Sequence, residues 1–386
     1  MKNRVTAGII TYHEPYSYGA NLQCLGLQMF LEELGFQPEI IDYSTTAYLE
    51  LRRRNRVKSL LYRVMRFLRN PKGFLRAKKN AQEVSRESQD FQGQLDIRNR
   101  KFREFQQRYY HLSSRRYEQY SELRENCPVY DAYICGSDQI WNPAFCDMDD
   151  NYFLAFAPMG KRIAYAPSFG VRNISKCFQK EYRKRLCDID CLSTREKEGV
   201  QIIKELTGRE SKIVIDPTLL IDREQWMKIA DDSDAILPET YILTYFIGMD
   251  EYIEQFQEEV RRAFPKDEIV NLVFDKSSYG PCDFLKLLSQ AKFVFTNSFH
   301  GLAFCINLNV PFAVGKTLKD YGSTNSFVRM EDLLENLGLE HRIYNGRETL
   351  GDSWLKLDFT EVNKKRKQFV QESRDYLRNA LEQVTS

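Results

Sequence analysis

The sharpest local feature of the sequence is the run Phe295, Thr296, Asn297, Ser298, Phe299, His300, Gly301, where an apolar stretch with strand character gives way to helical spacing. Unpaired backbone amides at a helix start attract anions, so this turn can hold a phosphate or a carboxylate. Asn297 or Ser298 could cap the helix, which alone accounts for one of them. His300 is one of four histidines and sits in the first turn of an otherwise apolar stretch. Such a histidine either titrates in the service of chemistry or is satisfied inside the core, and spacing leaves both open.

Two further groups have chemical potential. Ser193, Thr194, Arg195 and Glu196 close a predicted strand. An arginine there can bind a carboxylate or phosphate through two parallel hydrogen bonds, or it can be a surface residue paired with Glu196 or Glu198. Gly136, Ser137, Asp138, Gln139, Ile140, Trp141, Asn142 and Pro143 follow another predicted strand. Asp138, Gln139, Asn142 and Trp141 make a mixture suited to sugars, with polar oxygens for hydroxyl groups and an aromatic face for C–H groups. A tight structural turn also uses Gly, Ser, Asp and Pro.

The elements that position these residues follow from hydrophobic pattern. Residues 5–11 read as a buried strand, then a loop with Pro15 and Gly19, a helix over about 21–34 closed by Gly35, and a strand over 39–43. Ligands of parallel sheets sit at the carboxyl ends of the strands, so 12–23 belongs to a cleft wall. Residues 45–126 are charged and helix-favouring, which reads as a helical insertion. Strands return at 131–135, 162–166, 190–193 and 212–215. A second lobe repeats the alternation: strands at 241–247, 268–274, 293–296 and 311–314, helices at 251–263, 281–290 and 298–307. The predicted class is α/β, with two Rossmann-like lobes facing a central cleft. The boundaries are 1–225 for the first lobe, 226–355 for the second, and 356–386 for a last helix packing back on the first.

Bulk properties narrow the function classes. A chain of 386 residues fits two domains, and 42% hydrophobic with 28% charged residues is globular composition. A net charge of +2 gives no reason to expect nucleic acid. Residues 51–80 nevertheless hold twelve Lys or Arg and no Asp or Glu. Val57, Leu60, Leu61, Val64, Met65 and Leu68 recur there at helical spacing, which reads either as a helix packed on the first lobe or as a contact with an anionic membrane surface. The uncharged run 5–10 is too short for a signal-peptide core, so the chain is expected in the cytoplasm. Nine cysteines without a C-x-x-C pair suit a reducing compartment. The charge-free stretch 293–315 contains three Asn, a Ser, a Thr, a His and a Pro, and reads as a buried strand and helix rather than a membrane span.

Six pieces in order resemble the polysaccharide pyruvyl transferase family: residues 18–23 (Tyr, Gly, Ala, Asn, Leu, Gln), 135–143, 165–170, 193–196, 216–218 and 296–301. The resemblance runs from about residue 8 to about 339, leaving out the basic segment. It implies a fold of the GT-B type used by sugar transferases, phosphoenolpyruvate as donor, and a saccharide acceptor, free or polyprenyl-diphosphate-linked. It also implies a donor site using Arg195 and His300, with Asn297, Ser298 and Gly301 around them. Acceptor contacts are expected from Asn21, Gln23, Asp138, Gln139, Trp141 and Asn142. Some family members carry a Gly-Asp pair in the first loop, where this chain has Ala20, Asn21, Leu22 and Gln23. No redox cofactor is expected, and no metal-ligand cluster is evident. A nucleotide-sugar glycosyltransferase is the closest alternative, and a non-catalytic saccharide- or membrane-binding member of the family is a third.

Overall fold

The computed structural model describes residues 5–47, 90–143, 149–247, 251–273, 276–315 and 326–386, with Val64 and Pro71 as single residues. The basic segment 51–80 therefore lies almost entirely outside the described residues. The first lobe is built on a five-stranded parallel sheet in the order β3-β2-β1-β4-β5. Its strands are β1 (Thr6–Ile10), β2 (Gln37–Tyr43), β3 (Leu112–Tyr117), β4 (Ala132–Cys135) and β5 (Arg162–Ala164). Ile9 pairs with Ile40 on one side and Ile134 on the other, and all three are fully buried. Such near-continuous apolar runs are what a sheet covered on both faces demands.

Helix α1 (Tyr18–Glu33) is buried on nearly every face, as a helix between two packed layers must be. Gly35, at φ +86°, ends it in the left-handed conformation that glycine adopts without strain. The helix starts three residues before the predicted Asn21, because Ser17 takes the extended N-cap conformation. A Tyr, Ser and Gly-rich segment reads as loop and cleft wall from composition, whereas Asn21 and Gln23 are interior helix residues.

The predicted helical insertion over 45–126 needs correction from residue 90 onward; residues 48–89, apart from Val64 and Pro71, lie outside the described residues. Within it, α2 (Gln92–Tyr109) leads into β3, and β3 pairs with β2 in parallel through Ile40 with Leu112 and Tyr43 with Tyr117. Its sequence, Leu-Ser-Ser-Arg-Arg-Tyr, is polar because it is an edge strand with exposed side chains. Strand character here comes from pairing, not from hydrophobicity.

Beyond β5 come α3 (Lys176–Cys187), the two-residue strand β6 (Ser193–Thr194), α4 (Lys197–Thr207) and β7 (Lys212–Ile213). The short helices α5 (Pro217–Leu220) and α6 (Arg223–Ala230) follow.

The second lobe carries another five-stranded parallel sheet, in the order β12-β11-β10-β8-β9. It comprises β8 (Tyr241–Phe246), β9 (Glu268–Val273), β10 (Phe293–Thr296), β11 (Phe312–Gly315) and β12 (Ile343–Tyr344). The helices are α7 (Glu251–Ala263), α8 (Pro281–Gln290), α9 (Phe299–Leu308) and α10 (Ser326–Leu337). Two such parallel lobes meeting face to face give the GT-B-like, α/β class expected from the sequence.

The lobes meet through side chains. Tyr18 of α1 stacks on Phe284 of α8 at 4.5 Å with rings nearly parallel, an arrangement contributing about 0.5–1.5 kcal/mol beyond its burial. Its hydroxyl donates to the carbonyl of Tyr279 at 2.9 Å. Asn307 of α9 donates to the carbonyls of Thr218 and Ile221. One hydrophobic cluster runs through both lobes. The long helix α11 (Thr360–Thr385) lies against the first lobe: the Tyr376 hydroxyl donates to Ala164 O, and Ser373 Oγ accepts from Ile215 N–H. Among the described residues no helix is long and apolar enough to cross a membrane.

Candidate active site

The two sheets aim their strand ends at one place. In the second lobe the strand order reverses between β8 and β10, and ligands of open parallel sheets bind at such switch points. Asn297 and His300 follow β10 there. Asn297 is held structurally: its Oδ1 accepts from Ile247 N–H at 2.7 Å and its Nδ2 donates to Ile247 O at 3.1 Å. Ser298 is the N-cap of α9, its Oγ accepting from Gly301 N–H at 3.2 Å. Gly301 is needed at that turn, since a Cβ there would lie 2.8 Å from Thr296 Oγ1.

Asp216, N-cap of α5, is the centre of the cluster and is fully buried. Its Oδ1 accepts from the amide of Thr218 at 3.0 Å and its hydroxyl at 2.7 Å. Its Oδ2 accepts a charge-assisted bond from Nη1 of Arg195, lies 3.2 Å from Ser137 Oγ, and faces His300 Nε2 at 3.8 Å. Arg195 and His300 come from different lobes and meet at this carboxylate. The Arg195 guanidinium also lies over the Phe299 ring at 4.3 Å, with its Nη2 at 3.9 Å from Asp138 Oδ1. Of the alternatives open for Arg195, the surface pairing with Glu196 or Glu198 is excluded by its burial and by Asp216.

Glu196 turns away to hold the loop after β5, its Oε1 accepting from the Ser168 hydroxyl at 2.9 Å and the Phe169 amide at 2.8 Å. Arg329 of α10 reaches the same place, over the Phe299 ring at 5.4 Å. Nε and Nη2 of Arg195, Oε2 of Glu196, Nε2 of His300 and Nε of Arg329 are buried without a hydrogen-bond partner among the described residues. Proteins leave few buried polar atoms unpaired, and a concentration of them marks a place built to meet something else.

The electrostatics follow from burial and from charges of both signs. Burial pushes the His300 pKa below its usual value; Asp216 and Asp138 oppose this, and Arg195 and Arg329 reinforce it. The imidazole is therefore neutral near pH 7. Burial works to raise Asp216, but Arg195, His300 and Thr218 together hold its carboxyl below the ordinary range. Burial raises the pKa of Glu196, against the pull of Arg195 and Arg329. Arg329 is pushed down to about 10, first by burial and then by Arg195.

The expected acceptor residues divide. Asp138 sits at the edge of the cluster, at φ +65° directly after Gly136 and Ser137, and Gln139 follows it with its Oε1 accepting from Asn142 Nδ2 at 2.8 Å. Gly136, at φ +117°, lies so close to Tyr165 that a Cβ would come 2.0 Å from its carbonyl oxygen. The remaining four are interior. Asn21 donates to the carbonyls of Pro15 and Ser17, and Gln23 donates to Thr11 Oγ1 and accepts from Ser137 N–H. Asn142 is fully buried and donates to Gln139 Oε1. Trp141 is fully buried, stacked on Phe153 at 5.1 Å, with its indole N–H donating to Tyr152 O. Its aromatic face covers core, not sugar. Gln23 braces the loop 136–143 from behind through Ser137, and Asn142 ties it from within through Gln139.

Sequence reasoning missed Arg329 and the central part played by Asp216. Asp216 had a signal, the Asp-Pro-Thr pattern of an N-cap followed by proline. Arg329 had none.

A family profile described as polysaccharide pyruvyl transferase matches residues 18–314. The chain belongs to the polysaccharide pyruvyl transferase family. That match takes in Arg195, Asp216 and His300, and supports a transferase with a saccharide acceptor. No curated relative matches the chain. Among solved structures, UDP-N-acetylglucosamine 2-epimerase from Rickettsia bellii is similar at 11% identity and TM-score 0.39, over 98% of this chain and 99% of that one. The E. coli ADP-heptose lps heptosyltransferase II is similar at 12% identity and TM-score 0.32, over 99% of this chain and 100% of the other.

Proposed function

We propose that this pyruvyl transferase takes the enolpyruvyl unit of phosphoenolpyruvate and closes it as a pyruvate ketal on a sugar diol of a surface polysaccharide or its lipid-linked precursor. The observation that carries the reading is the buried junction of Arg195, Asp216 and His300, drawn from both lobes, with nitrogens on Arg195 and His300 that have no hydrogen-bond partner among the described residues. A small polyanion satisfies those donors. Arg195 holds a carboxylate or phosphate, and the amides of Phe299 and His300 in the first turn of α9, beside the Ser298 and Gly301 amides already bonded to Thr296 and Ser298, offset charge on the leaving phosphate.

The reaction adds one proton to the methylene carbon of the donor, making it a methyl group. A sugar hydroxyl bonds to the adjacent cationic carbon and loses its proton. The C–O bond to phosphate breaks, phosphate leaves with the bonding pair, and a second hydroxyl closes the ring with loss of its own proton. His300 relays the first proton. Its depressed pKa leaves it neutral before the donor arrives, and the negative charge of the donor favours its protonated form. Asp138 and Gln139, at the rim, are the proposed acceptor contacts. The basic segment 51–80 would bring the cleft to an acceptor carried on an anionic membrane.

Melting of the protein with equal concentrations of phosphoenolpyruvate and UDP-sugars tests the donor, since a ligand of the folded state stabilises it by mass action. Phosphoenolpyruvate should give the larger rise. A larger rise with UDP-sugars would move the function to glycosyl transfer.

A further inference from the structure

Arg329 lies on α10 of the second lobe, and its side chain has an unusual environment. The residue is 7% exposed. Among the described residues it makes no ion pair, and its Nε has no hydrogen-bond partner. Its described contact is the Phe299 ring at 5.4 Å, the ring that also carries Arg195 at 4.3 Å. Two like charges from opposite lobes are thus brought to one aromatic side chain. The carboxylates nearby act on it only through space: Asp216 is bound to Arg195, Glu196 spends one oxygen on Ser168 and Phe169, and Asp138 lies at 3.9 Å from Arg195. A buried guanidinium without a directly bonded carboxylate is costly in the free protein, and a second guanidinium beside it adds to the cost. Its pKa falls to about 10, through burial first and Arg195 second, which still leaves it cationic near neutral pH.

We infer that Arg329 is a second anion-binding residue of the donor site, so that an anionic group of the donor is held by guanidinia from both lobes. The identity of the donor rests on the reading of the preceding subsection; the anion clamp does not. Phosphoenolpyruvate suits it because it carries two anionic groups on three carbons. Binding would then tie α10 to the strand end after β6, joining the lobes through the ligand.

The competing possibility is a structural cation that balances Glu196 through space. The test is thermal melting of wild type, Arg329→Met and Arg329→Lys, each alone and titrated with phosphoenolpyruvate, inorganic phosphate or UDP. Free Arg329→Met should melt at or above the wild-type temperature, because a costly charge has gone. Its apparent affinity for phosphoenolpyruvate should fall by about 10- to 100-fold, the loss of one or two charge-assisted bonds, with Arg329→Lys between. Wild-type affinity in Arg329→Met overturns the inference and leaves the donor reading standing. Protection of wild type by phosphate or UDP but not phosphoenolpyruvate, lost in Arg329→Met, supports the clamp and removes the donor reading. Failure of any anion to protect wild type overturns the clamp. So does an Arg329→Met that cannot fold together with an Arg329→Lys of wild-type affinity.

Discussion

Replacing Gly19 by alanine perturbs His300 from outside the reacting cluster. Gly19 lies in the first turn of α1 with an ordinary helical backbone, so alanine would favour the helix itself by up to about 1 kcal/mol. The new Cβ, however, would stand 2.0 Å from Nδ1 of His300, 2.4 Å from Cγ and 2.7 Å from Cε1. Carbon contacts are comfortable near 3.5 Å, so the ring must retreat by about 1.5 Å. Overpacking of this kind costs about 1–3 kcal/mol, partly offset by the helix. A reacting group misplaced by about 1 Å loses on the order of 100-fold in rate, near 2.7 kcal/mol of barrier. Gly19→Ala should therefore melt within a few degrees of wild type yet release phosphate at least about 100-fold more slowly from phosphoenolpyruvate and acceptor. Circular dichroism and a phosphate assay read the two effects. A folded variant with wild-type turnover would show that the position of His300 is irrelevant to the reaction.

Other outcomes follow from charge. Because His300 titrates lower in the folded chain than the unfolded value of about 6.5, the unfolded chain binds more protons in mild acid, and this group makes stability fall as pH drops below about 6.5. Calorimetry of donor binding near pH 7 in buffers of different ionisation enthalpy should show proton uptake that His300→Gln reduces; equal uptake in the variant would place the proton elsewhere. Asp149 is buried, accepts from the Tyr43 hydroxyl at 2.6 Å, and has its pKa pushed up by burial to about 7. The folded chain then binds more protons than the unfolded one between about pH 4 and 7, and stability from this group is lost as pH rises. Asp149→Asn should gain on wild type in melting temperature between pH 5 and pH 8, and a constant difference would refute the assignment. Anionic vesicles should sediment the protein at low salt, neutral ones should not, and changing Arg52, Arg53, Arg54 and Arg56 to Ser should abolish the effect while sparing turnover on a soluble acceptor. Equal sedimentation of variant and wild type would count against membrane contact.

Much of the second lobe was legible because its strands are short, mostly apolar and separated by helices of strong period. The helices at 251–263 and 281–290 and the strand at 293–296 fall at the predicted residues. β3 was illegible because an edge strand needs no apolar face, and the start of α1 because its first residues are those of a loop. At the site, His300 could be singled out by scarcity and by its place at a strand end, whereas position left Arg195 open to a surface pairing and the family resemblance alone pointed it to the donor. Trp141 could not be judged, since an aromatic residue in a polar turn points outward or inward by tertiary packing alone. Arg329 was hidden for a similar reason: a charged residue on a helix reads as solvated until the fold buries it.

The most direct test of pyruvyl transfer incubates the protein with phosphoenolpyruvate and a panel of free and lipid-linked sugars, following phosphate release and the mass of the acceptor together. Phosphate should appear only with a suitable sugar, in equal amount to an acceptor carrying one pyruvate ketal, and both should disappear in Arg195→Ala and His300→Ala. No phosphate release with any acceptor, alongside consumption of a nucleotide sugar by the same protein, would contradict it.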